Sequence, residues 1–371
     1  MDIAILGGGI AGLAAAVRLR QLGWDPVVYE RDEVRVRHGH GFILLETGLG
    51  SLAEFGLGAR VPDKGHVIDR FVLRRPDGTD VRDTPFTGAM GFRRGEFMDL
   101  LEHAVPAERL RMGKRIAHVD WDAAAHRLRA VTFEDGERIE ADLFVESVGK
   151  ESAVRAAMHP DRRFGEVLVR ELVSHVHHAG VAATLGTRFL KYQRAEGGIS
   201  MGMVPCGHDQ IVWYLQFDAL RYPFTGRTGA EKAAFARSLV GDWAEPAAEL
   251  IERTDFDRSF VWNTSDLDPL PGLHGANVAL IGDSAHPFLP FTSQGVNAAL
   301  DDVRVLGDRL AHELGPGARH AEPAALERAL AAYSAARLPE IARIVASGRE
   351  LRERFLHPER FPDDGVLPIS K

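Results

Sequence analysis

The sequence is poor in the features that mark secreted, membrane-spanning and nucleic-acid-binding proteins. It has one cysteine, Cys206, in 371 residues, which excludes an internal disulfide framework and is typical of a reducing compartment. No apolar run approaches the roughly 18 residues of a membrane-spanning helix, and the first residues show neither the basic segment nor the cleavage site of a signal peptide. The net charge is −8, and no run of basic residues occurs. We therefore expect a cytoplasmic protein with no membrane span and no nucleic-acid partner.

The first 30 residues have the pattern of a dinucleotide-binding loop. An apolar run ends at Gly7, the next residues match GxGxxG, and a helical segment leads to a second apolar strand that ends at Glu30. In such a loop Gly7 permits the tight turn, Gly9 lets a pyrophosphate approach the backbone, and Gly12 lets the helix pack closely. Glu30 is placed to bind the adenosine ribose and would repel a 2′-phosphate. The site is therefore expected to bind FAD or NAD rather than NADP.

Two further apolar segments, within residues 141–147 and 276–286, predict parallel strands far from the first one along the chain. A dehydrogenase would instead repeat its strand and helix units without interruption. With 45% hydrophobic residues, the chain can bury a large core. These spacings predict an α/β fold with a Rossmann-like nucleotide-binding domain that other segments of the chain interrupt.

The sequence resembles the FAD-dependent aromatic hydroxylases, the single-component flavoprotein monooxygenases with the p-hydroxybenzoate hydroxylase fold. The resemblance runs nearly end to end and is strongest at three ordered motifs. It implies a Rossmann-like FAD-binding domain interrupted by an antiparallel-sheet substrate domain, with C-terminal helices. The first is the glycine loop. The second, typically GADGxxSxVR, reads ESVGKESAVR here, so Val148 replaces the aspartate. The third, typically GDAAHxxxPxxGQGxN, reads GDSAHPFLPFTSQGVN, so Ser293 replaces a glycine.

The resemblance implies a set of cofactor-binding residues and a small set of catalytic ones. The expected FAD-binding residues are Gly7, Gly9, Ile10, Ala11, Gly12, Glu30, Arg31, Arg94, Ile116, Gly149, Gly282, Asp283, Pro290, Gln294, Gly295, Val296 and Asn297. The expected catalytic residues are Pro290 and Gly295 of the third motif, together with His177 and Tyr214, which lie in the predicted antiparallel sheet and match no family motif.

The third motif has a chemical interpretation of its own. A helix that starts near Gly295 would point its N-terminal dipole at the N1/C2=O edge of a reduced flavin. Asp283 is better suited to bind ribitol hydroxyls than to act as a base, although capping a turn is the alternative. His286 either lines the flavin site or is a buried histidine bonded to backbone.

Residues 169–218 alternate like an antiparallel sheet, which in the resembled family covers the substrate above the flavin. Period-two alternation cannot tell the two faces of a strand apart. A His or Tyr here could deprotonate a phenolic substrate. The three histidines in residues 175–178 have no carboxylate or cysteine at ligand spacing, so we expect no metal site. The candidates for the cavity wall are His177, Tyr192, Met201, Met203, Tyr214 and Gln216.

The implied activity is that of a monooxygenase which uses NADH or NADPH and O2 to hydroxylate or epoxidise an aromatic or polycyclic small molecule through a flavin 4a-hydroperoxide. We expect a monomer or homodimer. The C-terminal residues predict amphipathic helices, broken or kinked at Pro339. The expected FAD-binding domain comprises residues 1–65, 93–160 and 266–371, and the expected substrate domain comprises 66–92 and 161–265.

Two alternatives remain open from the sequence. Because Val148 lacks the usual carboxylate, the protein could be an oxidase, a dehydrogenase, or an enzyme fed by a separate reductase. It could also be a flavoprotein without catalytic activity that retains FAD for structure.

Overall fold

A computed structural model describes residues 1–34 and 41–361, so residues 35–40 and 362–371 of the predicted FAD-binding segments lie outside the described residues. The strands are β1 Ile3–Leu6, β2 Val27–Tyr29, β3 Gly41–Leu44, β4 Gly65–Arg74, β5 Asp80–Arg93, β6 Leu110–Arg111, β7 Ile116–Asp122, β8 Arg127–Phe133, β9 Arg138–Ile139, β10 Leu143–Glu146, β11 Val169–His177, β12 Arg188–Gln193, β13 Ile199–Pro205, β14 Gln210–Asp218, β15 Phe260–Thr264 and β16 Val278–Leu280. The helices are α1 Ile10–Gln21, α2 Glu46–Glu54, α3 Arg94–Glu102, α4 Ala153–Met158, α5 Ala179–Leu185, α6 Gly229–Val240, α7 Ala247–Arg253, α8 Gly295–Leu314 and α9 Pro323–Leu356.

The smaller of the two main sheets is parallel and has the strand order β16-β10-β1-β2-β6. Its strands are short and almost entirely apolar because they are buried: α1 packs against β1, β2 and β10, and side chains of β8 belong to the same core, with Phe133 stacked on Tyr29 of β2. β7, β8 and β9 form a separate three-stranded sheet.

The larger sheet has eight strands in the order β15-β11-β14-β13-β12-β4-β5-β3 and is antiparallel except between β12 and β4. One face packs on α6 and α7 through a dense apolar cluster. The predicted fold class, a parallel α/β sheet with an antiparallel-rich sheet and a helical C-terminus, is confirmed. One strand joins the larger sheet from outside the predicted substrate segments: β3, within 1–65, pairs with β5.

The C-terminal helix differs from the expectation of a break. α9 runs as one helix through Pro339, which stands in its interior. Its inward side packs on α8 and on the turn Pro290–Thr292, and this contact stabilises the helix although proline removes one backbone donor. Within residues 1–34 and 41–361, no helix is long and apolar enough to cross a membrane.

Candidate active site

The three motif loops follow three adjacent parallel strands. β1 lies between β2 and β10, and β16 pairs with the other side of β10. Because the carboxyl ends of parallel strands meet at one edge, the glycine loop, the second motif and the third motif are brought together there, as in other doubly wound sheets.

The glycine loop is close-packed on one side and open on the other. Gly7 has φ +100°, and a Cβ there would lie 2.6 Å from the carbonyl oxygen of Ser147. A Cβ on Gly12 would lie 1.9 Å from the carbonyl oxygen of Gly7, so α1 can begin at the buried Ile10 only without a side chain at position 12. A Cβ on Gly9 would meet no atom within 4 Å. This open side at a helix N-terminus suits a phosphate group.

Glu30 closes the other end of this loop. Its Oε2 accepts a hydrogen bond from the N–H of Gly8 at 2.6 Å. Its carbonyl accepts one from the N–H of Lys114 at 2.7 Å, which brings the start of β7 at Ile116 toward the same edge. Arg31 is exposed next to it.

The third motif begins with a tight turn after β16. Gly282 has φ +57°, and a Cβ there would lie 3.0 Å from the Cβ of Ala11 in α1. The N–H of Gly282 donates to Oδ2 of Asp302 at 2.9 Å. This anchor directs the following residue, Asp283, to a cavity between the 282–296 segment and one face of the larger sheet.

A buried charged cluster holds that anchor. His286 Nε2 lies 2.5 Å from Asp302 Oδ2, and Arg337 Nε donates to Asp302 Oδ1 at 2.8 Å. Burial alone would raise the pKa of Asp302, but His286 and Arg337 outweigh it and hold the pKa below its ordinary value. His286 therefore supports the Gly282 turn indirectly, through the side chain of Asp302. The two sequence-based alternatives, lining the flavin site and bonding to backbone, did not include this contact.

The second motif is hydrogen-bonded to the third. The N–H of Gly149 donates to Ser284 Oγ at 2.8 Å, and Arg155 donates to the carbonyls of Ser284 at 2.9 Å and Asp283 at 3.2 Å. Val148 is half-buried against the apolar core.

Glu146 is a functional candidate that the sequence interpretation missed. It ends β10, is fully buried, and neither carboxylate oxygen has a hydrogen-bond partner among residues 1–34 and 41–361. Burial raises the pKa of Glu146 to about 7, although the nearby hydroxyls of Ser284 and Ser152 and then the charge of Arg155 oppose the shift. A carboxylate at the end of an otherwise apolar strand was the available signal.

The turn before α8 contains the second departure from the family pattern. Pro290 begins a short 3-10 turn, and Ser293 ends it with φ 54° and ψ 23°, in the left-handed region. α8 then starts at Gly295, where a Cβ would meet no atom within 4 Å. Gln294 and Val296 also line the cavity.

The Asn297 side chain hydrogen-bonds two backbone segments, the end of β3 and the turn before α8. Its Oδ1 accepts from the N–H of Leu45 at 2.8 Å, and its Nδ2 donates to the carbonyls of Ile43 at 3.1 Å and Ser293 at 2.9 Å. It thus fixes β3 against the first turn of α8. It is not one of the residues that line the cavity.

Arg94 begins α3 and lines the same cavity. Burial lowers the pKa of its guanidinium, and the charge of Asp283 partly opposes that shift. Within the part of the chain that the structure describes, its side chain forms no hydrogen bond and no ion pair.

A cavity of about 540 Å³ lies between the 282–296 segment and one face of the larger sheet. The charged side chains along it are mostly cationic, so it favours an anionic or electron-rich ligand. Its cations are Arg75, Arg94, Lys150, Lys191, Arg194 and Arg354, and its carboxylates are Glu171 and Asp283.

The pairing of the strands decides which predicted wall residues reach this cavity. Tyr214 and Gln216 line it. Tyr192, Met201 and Met203 are on the opposite face, buried in the cluster under α6 and α7, so their prediction as wall residues is wrong. His177 is also not brought to the cavity, because it is exposed at the far end of β11, opposite Gln210.

Tyr214 has a defined place but cannot be a base at neutral pH. Its ring lies over Gly202, where a Cβ would be 2.3 Å from the ring. Burial raises the pKa of Tyr214, and Glu171 adds to the shift, so the phenol stays protonated and can only donate a proton or accept through its lone pairs.

A row of polar side chains crosses the cavity wall beside it, and Lys191 and Glu171 were both missed from the sequence. Lys191 Nζ donates to Gln216 Oε1 at 3.3 Å, and Gln216 Nε2 donates to Glu171 Oε1 at 2.7 Å. Ser200 Oγ also donates to Gln216 Oε1 at 2.9 Å. The row spans β12, β13, β14 and β11. Its link to Glu171 depends on the pairing of β11 with β14, which are not consecutive strands, so no local pattern indicates it.

These features fit a flavin dinucleotide. The open glycine at the start of α1, the open glycine at the start of α8, and an enclosed arginine beside a carboxylate form an extended site with space and charge for one. Gly149 has the same open side, with no atom within 4 Å of a Cβ.

Comparison with known proteins agrees with the geometry. A family model described as an FAD binding domain matches residues 1–347. The 3-amino-4-hydroxybenzoate 2-monooxygenase of Streptomyces cremeus is 28% identical over an alignment of 375 positions that covers 96% of this chain and 88% of that protein. The aurachin C monooxygenase/isomerase of Stigmatella aurantiaca is 27% identical over an alignment of 350 positions that covers 91% of this chain and 85% of that protein.

The fold has close counterparts among solved structures. The HpxO protein of Klebsiella pneumoniae, solved with FAD and uric acid, superposes with a TM-score of 0.82 at 24% identity, covering 96% of this chain and 89% of that one. Because the family model spans nearly the whole chain and these relatives are monooxygenases, this chain belongs to the FAD-binding aromatic monooxygenases.

Proposed function

We propose that this enzyme uses NADH or NADPH and O2 to hydroxylate or epoxidise an aromatic or polycyclic small molecule. The main support is one cavity in which Asp283 and the start of α8 lie across from the polar wall of the larger sheet. FAD, when bound, supplies the redox chemistry: it accepts electrons from the nicotinamide, activates O2 and gives one oxygen atom to the substrate. The oxygen-transfer route that the sequence resemblance implies is part of this proposal.

In this proposal the chain's own residues position and shield the cofactor. The glycine loop would hold the pyrophosphate, Glu30 the adenosine ribose, and Asp283 the ribitol hydroxyls. The N–H groups at Gly295 would stabilise negative charge on the flavin ring through the dipole of α8. Nine further residues complete the proposed cofactor site by contact or by positioning: Ile10, Ala11, Arg31, Arg94, Ile116, Gly149, Gln294, Val296 and Asn297.

The substrate side would exclude water and orient an aromatic ring. Pro290 and the aromatic ring of Phe291 border the cavity on one side, and Phe189 and Tyr214 border it on the other. We also propose the division into a cofactor domain (1–65, 93–160 and 266–371) and a substrate domain (66–92 and 161–265), with β3 added to the substrate sheet.

The relatives suggest where to begin a substrate screen. The names of two similar proteins contain 3-amino-4-hydroxybenzoate and uric acid, which are both planar rings with ionisable groups. The purified FAD-loaded protein should be mixed anaerobically with NADH or NADPH, with and without each compound. We expect the visible flavin absorbance to bleach, faster with a true substrate, and O2 uptake with an oxygenated product to follow in air.

Val148 favours one alternative, an oxidase, a dehydrogenase or an enzyme fed by a separate reductase. If neither nicotinamide bleaches the flavin under any condition while dithionite does, the proposed use of NAD(P)H is wrong and this alternative stands. Reduction by nicotinamide that yields hydrogen peroxide and no oxygenated product with every compound tested would favour an oxidase.

A further inference from the structure

Two of the chain's six lysines, Lys150 and Lys191, line the cavity, and the second belongs to a polar row that the fold alone does not need. Glu171 and Gln216 are directly opposite each other on β11 and β14, and Ser200 is opposite Gln216 on β13. All three are buried. Glu171 is a buried carboxylate and Lys191 a half-buried ammonium group, and removing such groups from water costs free energy, so a row of this kind in a wall with many apolar side chains points to a ligand.

The orientation of the Gln216 amide is fixed by its neighbours. Lys191 Nζ can only donate, so the atom 3.3 Å from it must be the amide oxygen. The amide N–H group then faces Glu171 Oε1 at 2.7 Å, which must accept. The amide therefore separates the ammonium group from the carboxylate and holds each at a set place in the wall.

Both charged ends of the row retain unused hydrogen-bonding capacity. Among residues 1–34 and 41–361, Glu171 accepts at Oε1 alone and Lys191 Nζ donates to Gln216 alone. Lys191 Nζ also lies 6.0 Å from the centre of the Phe291 ring, on the cofactor side of the cavity. An acceptor and a cationic donor thus face the space where a substrate ring would lie.

Burial brings the pKa values of Glu171 and Lys191 close to neutral pH. It raises the pKa of Glu171 to about 7, with Gln216, Lys191 and Lys150 opposing the shift. It lowers the pKa of Lys191 to about 8, with Glu171 opposing. The titratable groups that face Glu171 are Lys150, Lys191 on β12 and Tyr214 on β14, and Tyr214 is unsuited to be a base.

We propose that Glu171 is the base that takes a proton from a ring O–H or N–H of the substrate, and that Lys191 binds the anionic oxygen or nitrogen next to it. The X–H bond breaks, its electron pair stays on the substrate atom, and the proton goes to Glu171 Oε2. No oxidant or reductant is needed for this step. The electron-rich anion is the form that accepts an electrophilic oxygen atom. This inference rests on the proposed function and names the ionisable edge that its substrate must have.

The test measures ionisation of a bound probe without turnover. FAD-loaded protein is titrated, with no reductant, with 4-nitrophenol, whose phenolate is coloured, and separately with 3-amino-4-hydroxybenzoate. Wild type is compared with Glu171→Gln, Glu171→Asp, Lys191→Met and Lys191→Arg. Lys64→Met and Glu134→Gln, both exposed, are the matched controls. FAD content and melting temperature are recorded for each variant.

We expect the wild type and both controls to bind 4-nitrophenol largely as phenolate at neutral pH. Glu171→Gln should lower the phenolate-to-phenol ratio of the bound probe at least tenfold, and Glu171→Asp should restore part of it. Lys191→Met should weaken phenolate binding at least tenfold, and Lys191→Arg should recover part of that loss. If Glu171→Gln does not fold, the Glu171→Asp and Lys191 comparisons decide.

Three results would overturn the proposal. These are an equal phenolate fraction in the wild type and all four Glu171 and Lys191 variants, binding losses that follow melting temperature alone, or no binding of either probe to the wild type. The rate of anaerobic flavin reduction by NADH or NADPH, with and without each compound, is measured on the same samples. Reduction without the ionisation effect rejects this inference and leaves the proposed function standing. If dithionite reduces the flavin but neither nicotinamide does under any of these conditions, the proposed use of NAD(P)H is wrong.

Discussion

The buried carboxylate of Asp302 accepts a hydrogen bond from the main-chain N–H of Gly282, with 2.9 Å between the oxygen and the nitrogen. Asp302 also pairs with Arg337, so one side chain of α8 ties α9 to the turn that presents Asp283. We expect Asp302→Asn to lower the free energy of unfolding by about 3 kcal/mol, because it leaves Arg337 less compensated. It should also weaken FAD binding at least about tenfold, or 1.4 kcal/mol. FAD titration of apoprotein, followed by flavin fluorescence, measures the second effect.

Asp301 provides a matched control for this prediction. It also pairs with Arg337 but does not contact Gly282. Asp301→Asn should therefore lower stability with little change in FAD affinity. Equal losses of FAD affinity in the two variants would show that the hydrogen bond to Gly282 is not what positions the turn.

Ser293 occupies a backbone conformation that favours glycine. Its φ of 54° and ψ of 23° cost a residue with a side chain about 1–2 kcal/mol, whereas glycine pays about 0.5–1 kcal/mol in unfolded-chain entropy. We expect Ser293→Gly to leave the unfolding free energy unchanged or raise it by up to about 1 kcal/mol. Ser293→Val should lower it by at least about 1 kcal/mol, because a β-branched residue is excluded there. Urea unfolding of both variants tests this, and a Val variant as stable as the Gly variant would contradict it.

The sequence was sufficient to predict the features that depend on local order. A strand followed by glycines and a helix, repeated at the ends of β1, β10 and β16, gives the cofactor edge of the parallel sheet because parallel strands align their carboxyl ends. The same local logic predicts that α8 begins at Gly295, and the structure confirms it.

The cavity wall could not be predicted in this way, because a strand's pattern does not say which of its faces meets which neighbour. Tyr214 and Tyr192 looked equivalent in sequence, yet strand pairing turns one toward the cavity and buries the other. The row of Lys191, Gln216 and Glu171 depends on pairing between strands that are not adjacent in sequence.

Gly9 and Gly12 lie three residues apart and should respond differently to alanine. A Cβ at Gly9 meets no protein atom within 4 Å, whereas one at Gly12 would lie 1.9 Å from the carbonyl of Gly7. Gly9→Ala should therefore fold normally and lose at least about tenfold in FAD affinity, because the methyl group occupies phosphate space. Gly12→Ala should lose about 1–3 kcal/mol of stability even without FAD, through overpacking. Thermal melts of the apoproteins together with FAD titrations separate the two effects. Loss of apoprotein stability in Gly9→Ala would contradict the assignment of that open side to the ligand.

Glu146 should make the stability of this protein depend on pH in a direction opposite to that of a salt-bridged acid. Burial raises its pKa from 4.5 to about 7, so between these values the folded state holds a proton that the unfolded chain has released. Stability is therefore greatest at the acidic end of this window and falls as the pH rises through it. Glu146→Gln removes the titration. Between pH below 4.5 and pH above 7, the wild type should therefore lose roughly 1–3 kcal/mol of unfolding free energy that Glu146→Gln retains.

Urea unfolding of the FAD-loaded protein across that pH range measures this difference, and the exposed Glu134→Gln is the control. Glu171 titrates in the same window and is present in both proteins, so its contribution cancels in the comparison. A wild-type profile that runs parallel to that of Glu146→Gln would mean that Glu146 is ionised throughout. It would then need groups that stabilise its charge, and the candidates are Ser284, Ser152 and Arg155, which already oppose the shift.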